Sequence, residues 1–343
     1  MREKELSLAA DEWAHPDALH EWWYVNTHLV DSTGRKFGAV VAFFPDYMLF
    51  GLADKVEKRM VSAEVIRGHR LVSSTAGVSY VGNSFAGAGR EGTYALRYSS
   101  RGISLELGLE SEKRPLLVNR FGKIREGLLG DSFYYSLTRL AARGRLSLGG
   151  EERDVSGIAW IDRQWGRWED MGIGGWEWFS LQLSNGTEVL ATQIYSPVAR
   201  RICTSVVSVK RKDSSEVHSA KLSVRRVETI GGGASGTKYG RRWRLDSPGL
   251  LDLEVVVDFD GQEFHKGLWE GCCSARGTIE KEAVTGVGYA EQVDRAQGPL
   301  TQLLSLAAAP GHYALQNLLG RSNLGLWDLP ERLGIWRVLA VRR

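Results

Sequence analysis

The sequence predicts an all-β protein: two antiparallel β-barrel or sandwich domains followed by a short, partly helical tail. Three observations carry this reading. Apolar and polar residues alternate with period two through segments 22–29, 38–44, 102–109, 133–140, 176–183, 189–195, 202–209 and 251–259, each short and rich in β-branched or aromatic residues. Forty Gly against eight Pro supply turns and bulges, and helical periodicity is scarce before residue 298. The length of 343 residues exceeds one ordinary core and suggests about two domains.

Taken in chain order, the opening strand EWWYVNTHL (21–29) aligns without gaps on GWEWFSLQL (175–183). Trp22 falls on Trp176, Tyr24 on Trp178 and His28 on Gln182. Each copy is followed by a Gly-containing turn and a second apolar strand, so each is read as opening one β unit. The expected domains are 1–170 and 171–298, with a C-terminal extension over 299–343. Asn185-Gly186, between two expected strands, predicts a type I′ hairpin turn. Gly87 to Gly92 matches G-x-G-x-x-G, but TYALRY follows it. A strand in place of an opening helix makes this a turn, not a dinucleotide site. The tail pieces TQLLSLAAAP, HYALQNLLG and LPERLGIWRVLAVRR are Leu-rich and broken by Pro and Gly. They read either as a segment packed over the β domains or as an interfacial anchor, with Trp327 and Trp336 at a lipid boundary.

Composition excludes several classes. A net charge of +3 from 44 basic and 41 acidic residues gives no case for nucleic acid. Three Cys, two of them adjacent (Cys272 and Cys273), form no disulfide framework, and no Cys/His spacing suggests zinc. The N-terminus MREKELSLAADEW lacks the apolar stretch of a signal peptide, and no apolar run is long enough to span a bilayer. The expected location is therefore the cytoplasm, with peripheral membrane contact through the tail as its variant. No G-x-S-x-G elbow supports a hydrolase. Twelve Trp point instead to packed aromatic surfaces or a stacking site.

The segment GIAWIDRQWG (157–166) carries the chemistry most directly. If extended, it puts Trp160, Asp162 and Gln164 on one face and Arg163 and Trp165 on the other. A carboxylate flanked by indole and amide is costly to bury. Without a cation, Asp162 would stay protonated near neutrality and could protonate an alkene or a carbonyl; with one, it is a structural ion pair. Late in the chain, Trp269-Glu270-Gly271 and GVGYAE (286–291) read as neighbouring strands. Each offers a carboxylate beside an aromatic ring, where a developing cation would be stabilised. His15, His20 and His28 share no face by spacing, so no metal is expected. His28 is read as a strand residue hydrogen-bonded across a pocket.

Five segments in order, EWWYVNTHL, GIAWIDRQWG, GWEWFSLQLSNGTEV, LWEG and GVGYAE, make the chain from about residue 20 to 292 resemble the AttH and carotenoid 1,2-hydratase (hydroxyneurosporene synthase) family. The resemblance implies two lipocalin-like domains with an apolar ligand between or within them. It also implies, for some members, addition of water to a terminal carotenoid double bond without a redox cofactor. Fungal Diels–Alderases look related in architecture. The chain departs from the carotenoid hydratases in having Asp162-Arg163-Gln164-Trp165 where they carry Asp-His-Asn-Trp. It also has no carboxylate around 192–196, where Tyr195 is the nearest ionisable group.

The resulting expectation is a cofactor-free enzyme acting on a long apolar isoprenoid or polyene by hydration, cyclisation or isomerisation. Its alternatives are a Diels–Alderase-like cyclase and a non-catalytic lipid or pigment binder. The candidate catalytic residues are Asp162, Arg163, Tyr195 and Glu270. The candidate substrate contacts are Trp22, Tyr24, His28, Trp160, Gln164, Trp165, Trp176, Trp178, Tyr289 and Glu291, lining a dry, ring-walled hollow.

Overall fold

The computed structural model describes residues 6, 11–125, 130–169, 173–196, 202–294, 307, 310, 311 and 313–315. Two all-antiparallel sheets account for nearly all of them. The first is built from β1 (His20–Asp31), β2 (Lys36–Phe43), β3 (Tyr47–Asp54), β4 (Arg59–Arg67), β5 (Val72–Ser74), β6 (Gly77–Tyr80), β7 (Asn83–Gly87), β8 (Thr93–Ser100), β9 (Ile103–Ser111), β10 (Leu116–Leu117), β11 (Lys123–Arg125), β12 (Gly130–Leu148) and β13 (Glu151–Trp168). The second contains β14 (Gly175–Leu183), β15 (Glu188–Tyr195), β16 (Ile202–Lys210), β17 (Glu216–Ser219), β18 (Ser223–Gly232), β19 (Thr237–Ser247), β20 (Leu251–Val257), β21 (Glu263–His265), β22 (Leu268–Ile279) and β23 (Glu282–Asp294).

The internal repeat is visible in the topology. The opening strand of the first sheet, β1, pairs with its successor β2 and with that sheet's last strand β13. Its counterpart β14 pairs with β15 and with the second sheet's last strand β23. All the expected strands form. The turn between β14 and β15 differs from expectation: Gly186 has φ +79° whereas Asn185 is not left-handed, and the Gly186 amide bonds to the Leu183 carbonyl at 3.1 Å. This is the pattern of a type I turn closed by a left-handed glycine rather than a type I′ turn.

Each sheet curls so that one face of its strands encloses a core. In the first, Phe50 of β3 stacks on Tyr98 of β8 with ring centroids 3.4 Å apart, although five strands separate β3 from β8 in the sheet order. In the second, Phe179 of β14 meets Trp243 of β19 edge-on at 5.3 Å. Side chains fill both curls, among the described residues. The expected hollow inside a barrel is therefore a packed core, because large rings at alternate positions interdigitate across it.

The opposite faces of the two sheets meet in a seam. Tyr24, Val40, Leu49, Tyr134 and Trp160 from the first pack with Trp178, Leu190, Val206, Cys272 and Tyr289 from the second. Gly38 shows how closely: a Cβ there would lie 2.2 Å from Cys272 Sγ and 2.6 Å from the Tyr289 hydroxyl oxygen. Polar pairs set the register of the seam. Asn26 Nδ2 donates to Ser180 Oγ at 3.0 Å, and Gln182 Nε2 donates to the carbonyls of Thr138 and Ala159, both at 2.9 Å. Beside them Glu188, fully buried on β15, takes Lys113 Nζ at 2.7 Å and Arg139 Nε at 2.6 Å, both from the first sheet's half of the chain.

Among the described residues no helix is long and apolar enough to cross a membrane. Trp327 and Trp336, offered as lipid-boundary residues, lie outside the described residues, as does most of the tail.

Candidate functional site

Two rows of side chains face each other across the seam. In the first sheet, Tyr24, Asp162 and Ser136 are directly opposed on β1, β13 and β12. In the second, Trp178, Glu291 and Glu270 are directly opposed on β14, β23 and β22. Cross-strand partners share a face, so each row points as a unit into the seam. The repeat aligns the rows: Tyr24 with Trp178, and the last-strand acids Asp162 and Glu291 with each other.

Asp162 is buried and accepts three hydrogen bonds: from Ser136 Oγ at 2.5 Å, Trp160 Nε1 at 2.7 Å and the Tyr134 hydroxyl at 2.8 Å. Tyr134 in turn accepts from Trp178 Nε1 at 2.8 Å. The Tyr24 hydroxyl donates to Glu270 at 2.9 Å, and Trp176 Nε1 donates to Glu291 at 2.7 Å. Among the described residues no Lys, Arg or His is hydrogen-bonded or ion-paired to any of the three acids. Burial pushes Asp162 up to about 7, with its three donors pulling the other way. Burial also raises Glu270 well above the usual carboxylate range, reinforced by the adjoining Glu291, and it raises Glu291 as well. The same burial raises the phenols of Tyr24 and Tyr134, so both are hydroxyl donors at neutral pH.

The rings around this cluster meet one another edge-on. Trp160 and Trp178 lie 6.3 Å apart at 83°, and Tyr24 and Trp178 lie 5.4 Å apart at 74°. Trp22 and Trp176, both half-buried, stand one pair further along, toward the strand ends at Gly130, Trp168, Gly175 and Asp294. A thin crevice of about 150 Å³ beside Glu270, bounded by Gly38, Ala53, Met60, Phe264 and Cys272, is too narrow for a water molecule. A groove of about 580 Å³ opens on the surface at Val30, Asp31 and Arg143. It lies roughly 20 Å along β1 from Tyr24, away from the acids. The ring-walled hollow expected beside Asp162 is absent among the described residues, because the aromatic side chains of the two sheets fill it themselves.

Of the expected site residues, the seam collects Asp162, Glu270, Glu291, Tyr24, Trp160 and Trp178, with Trp22, Trp176 and Gln164 at its margin. Gln164 donates to Ser132 Oγ at 2.8 Å. Tyr289 and His28 share the face further along, with rings 5.2 Å apart. His28 Nδ1 lies 3.2 Å from Lys55 Nζ, and its pKa is driven well down by burial and by that ammonium. Three expected residues lie elsewhere. Arg163, at an odd position of β13, points into the first core. It lies 3.9 Å over the Trp23 ring and pairs with Glu21 Oε1 at 2.5 Å. Trp165, on the same inner face, stacks on His15 at 4.2 Å. Tyr195, inside the second curl, donates to Glu177 Oε2 at 2.5 Å. None of the three reaches the seam, because successive strand residues alternate faces.

Arg163 is thus structural. An Arg163→Lys variant, which loses the planar stack on Trp23, is expected to lower unfolding free energy by about 2 kcal/mol in urea titration. It should leave the infrared carboxyl bands of the seam unchanged.

Tyr134 and Ser136 escaped the sequence reading. The signal was present: Ser132, Tyr134, Ser136 and Thr138 form a polar stripe along β12 at period two. Among the described residues no set of three His, Cys, Asp or Glu side chains is placed to hold a metal ion.

The AttH-like family model matches residues 51–293. The fold is similar to that of a provisionally assigned AttH from Nitrosomonas europaea, at TM-score 0.76 and 23% identity over 85% of this chain and 98% of that one. It is also similar to kievitone hydratase from Nectria haematococca, at TM-score 0.71 and 17% identity over 85% of this chain and 96% of that one. No curated protein matches the sequence.

Proposed function

This chain belongs to the AttH-like family, and we propose that it is a hydratase-type enzyme, adding water to a carbon–carbon double bond of an apolar isoprenoid-like substrate at the seam. The observation that carries the reading is the placement of three carboxyl groups that no cation among the described residues pairs with, inside a wall of indole and phenol rings. Hydration of an alkene needs a proton donor strong enough to protonate carbon and surroundings that stabilise the cation formed. A desolvated carboxylic acid is the first, and the π-rich rings of Trp160, Trp178 and Tyr24 packed around the acids are the second. The addition is redox-neutral, so it requires no electron carrier. The structural likeness to kievitone hydratase supports the same chemistry. Where a second double bond reaches the cation before water does, the same site would close a ring. Entry requires Trp22 and Trp176, the half-buried rings at the margin, to move aside.

The test is incubation of the purified protein with kievitone and, separately, with an acyclic carotenoid in water enriched in heavy oxygen. A product one water heavier, carrying the label, is expected. Recovery of both compounds unchanged overturns the reading. The close packing of the seam favours a second one, in which the acids and rings only lock the sheets together. Native mass spectrometry that detects neither product nor retained ligand would favour that account.

A further inference from the structure

The three acids are not equivalent, and their partners assign them different tasks. Glu270 and Glu291 lie directly across from each other on adjacent strands. Side chains so paired are within about 5 Å at Cβ, and two carboxyl groups buried side by side strongly resist carrying two negative charges without a cation between them. The groups facing the pair are Tyr24 from β1, Asp162 and Trp160 from β13, Tyr134 and Ser136 from β12, Trp176 and Trp178 from β14, and Tyr289 and Cys272 alongside. Nothing in that set neutralises a second negative charge, so the pair keeps a proton.

Asp162 stands alone on the opposite row and is surrounded by donors. An indole N–H can only donate, so Trp160 fixes one of its oxygens as an acceptor. Trp178 donates to the Tyr134 oxygen, which turns the Tyr134 proton toward the other. Both oxygens of Asp162 are therefore held as a carboxylate holds them, in the manner of a proton acceptor.

We infer that the Glu270–Glu291 pair supplies the proton to the substrate carbon and that Asp162 takes the proton from the attacking water, the reverse of the acid role its sequence context suggests. This inference rests on the hydration reading above. In the step, the alkene π pair forms the new C–H bond with the proton of the pair. Water oxygen bonds to the cationic carbon, and one water proton passes to Asp162. After product leaves, that proton returns to the pair, so the cycle consumes only alkene and water. Burial raises all three carboxyls; at Glu270 the neighbouring Glu291 reinforces it, whereas at Asp162 the Ser136, Trp160 and Tyr134 donors pull against it.

The experiment uses the full chain with kievitone as probe in deuterated buffer, following both water addition and deuterium entering recovered kievitone. An Asp162→Asn variant is expected to lose water addition by about a hundredfold or more while still exchanging deuterium into the alkene, because the cation forms and collapses. Glu270→Gln and Glu291→Gln should lose both. Loss of exchange in Asp162→Asn, with exchange retained in the glutamine variants, overturns the assignment and leaves hydration standing. Wild-type protein that neither adds water nor exchanges deuterium overturns hydration itself. A second readout needs no variant to fold: infrared spectra of wild-type protein at about pH 8. The buried protonated-carboxyl band should shift when glutamate, not aspartate, carries heavy carbon; a shift only with labelled aspartate refutes the assignment.

Discussion

Glu188→Ala is expected to destabilise the protein by about 3–5 kcal/mol, read as a lower urea midpoint with an unchanged slope. Glu188 is fully buried between the sheets, where its two oxygens hold Lys113 and Arg139. Removing the carboxylate leaves two cations in a seam where little water reaches. Lys113 keeps the carbonyls of Gly186 and Arg211, at 2.5 and 3.0 Å, which soften the loss without cancelling the charge. Coulomb attraction across this gap is strong because the surroundings are apolar, but the desolvation already incurred makes an orphaned ion the larger effect. The exposed pair Arg244–Asp252 provides the contrast. Removing either partner there should cost less than about 1 kcal/mol, since solvent screens both. Equal effects at the two sites would show that the seam is far wetter than its packing implies.

The second large effect is a pH dependence. Asp162 holds its proton up to about pH 7 in the folded chain and to the ordinary 3.8 when unfolded. Between those values the folded state binds more proton than the unfolded one. Stability from this group is therefore complete below about pH 4 and is lost as pH rises through about 7, by about 4 kcal/mol in all. Asp162→Asn should flatten that part of the stability curve, while the two glutamates keep a residual slope of the same sign. Asp31 works in the opposite sense and lower down. The Thr33 hydroxyl leads the contacts that pull it to about 2, so its contribution disappears as pH falls below about 4. Urea titrations of wild type and Asp162→Asn at intervals from about pH 4 to 8 separate the two. Parallel curves would mean that Asp162 is solvated in the folded protein.

Much of this architecture could be read from residue order. The period-two segments give the strands, and the alignment of 21–29 on 175–183 anticipates two strands that open their sheets in the same way. Alternation in IAWIDRQW separates Asp162 from Arg163. What alternation does not reveal is which face is which. Strands such as β1 and β15 are buried on both sides, one against a core and one against the other sheet, so neither face is marked by polarity. Arg163 and Tyr195 thus looked as available as Asp162, although both serve the cores. The partners of Asp162 were illegible for a different reason. Tyr134 and Ser136 act only once β12 lies beside β13 and faces Trp178, a juxtaposition made by the whole first sheet. The filled seam was equally hidden, since twelve Trp fit a vacant cage and a solid wall alike.

The two opposed rows carry a consequence in their arithmetic. An assembly of two identical subunits must bring its acids to a shared axis in even numbers. Here the halves belong to one polypeptide, and where one presents Ser136 the other presents Glu270, so the count is three. An odd count leaves one member single and two coupled, and that inequality is a way for three acids with no histidine bonded to them among the described residues to hold donor and acceptor side by side.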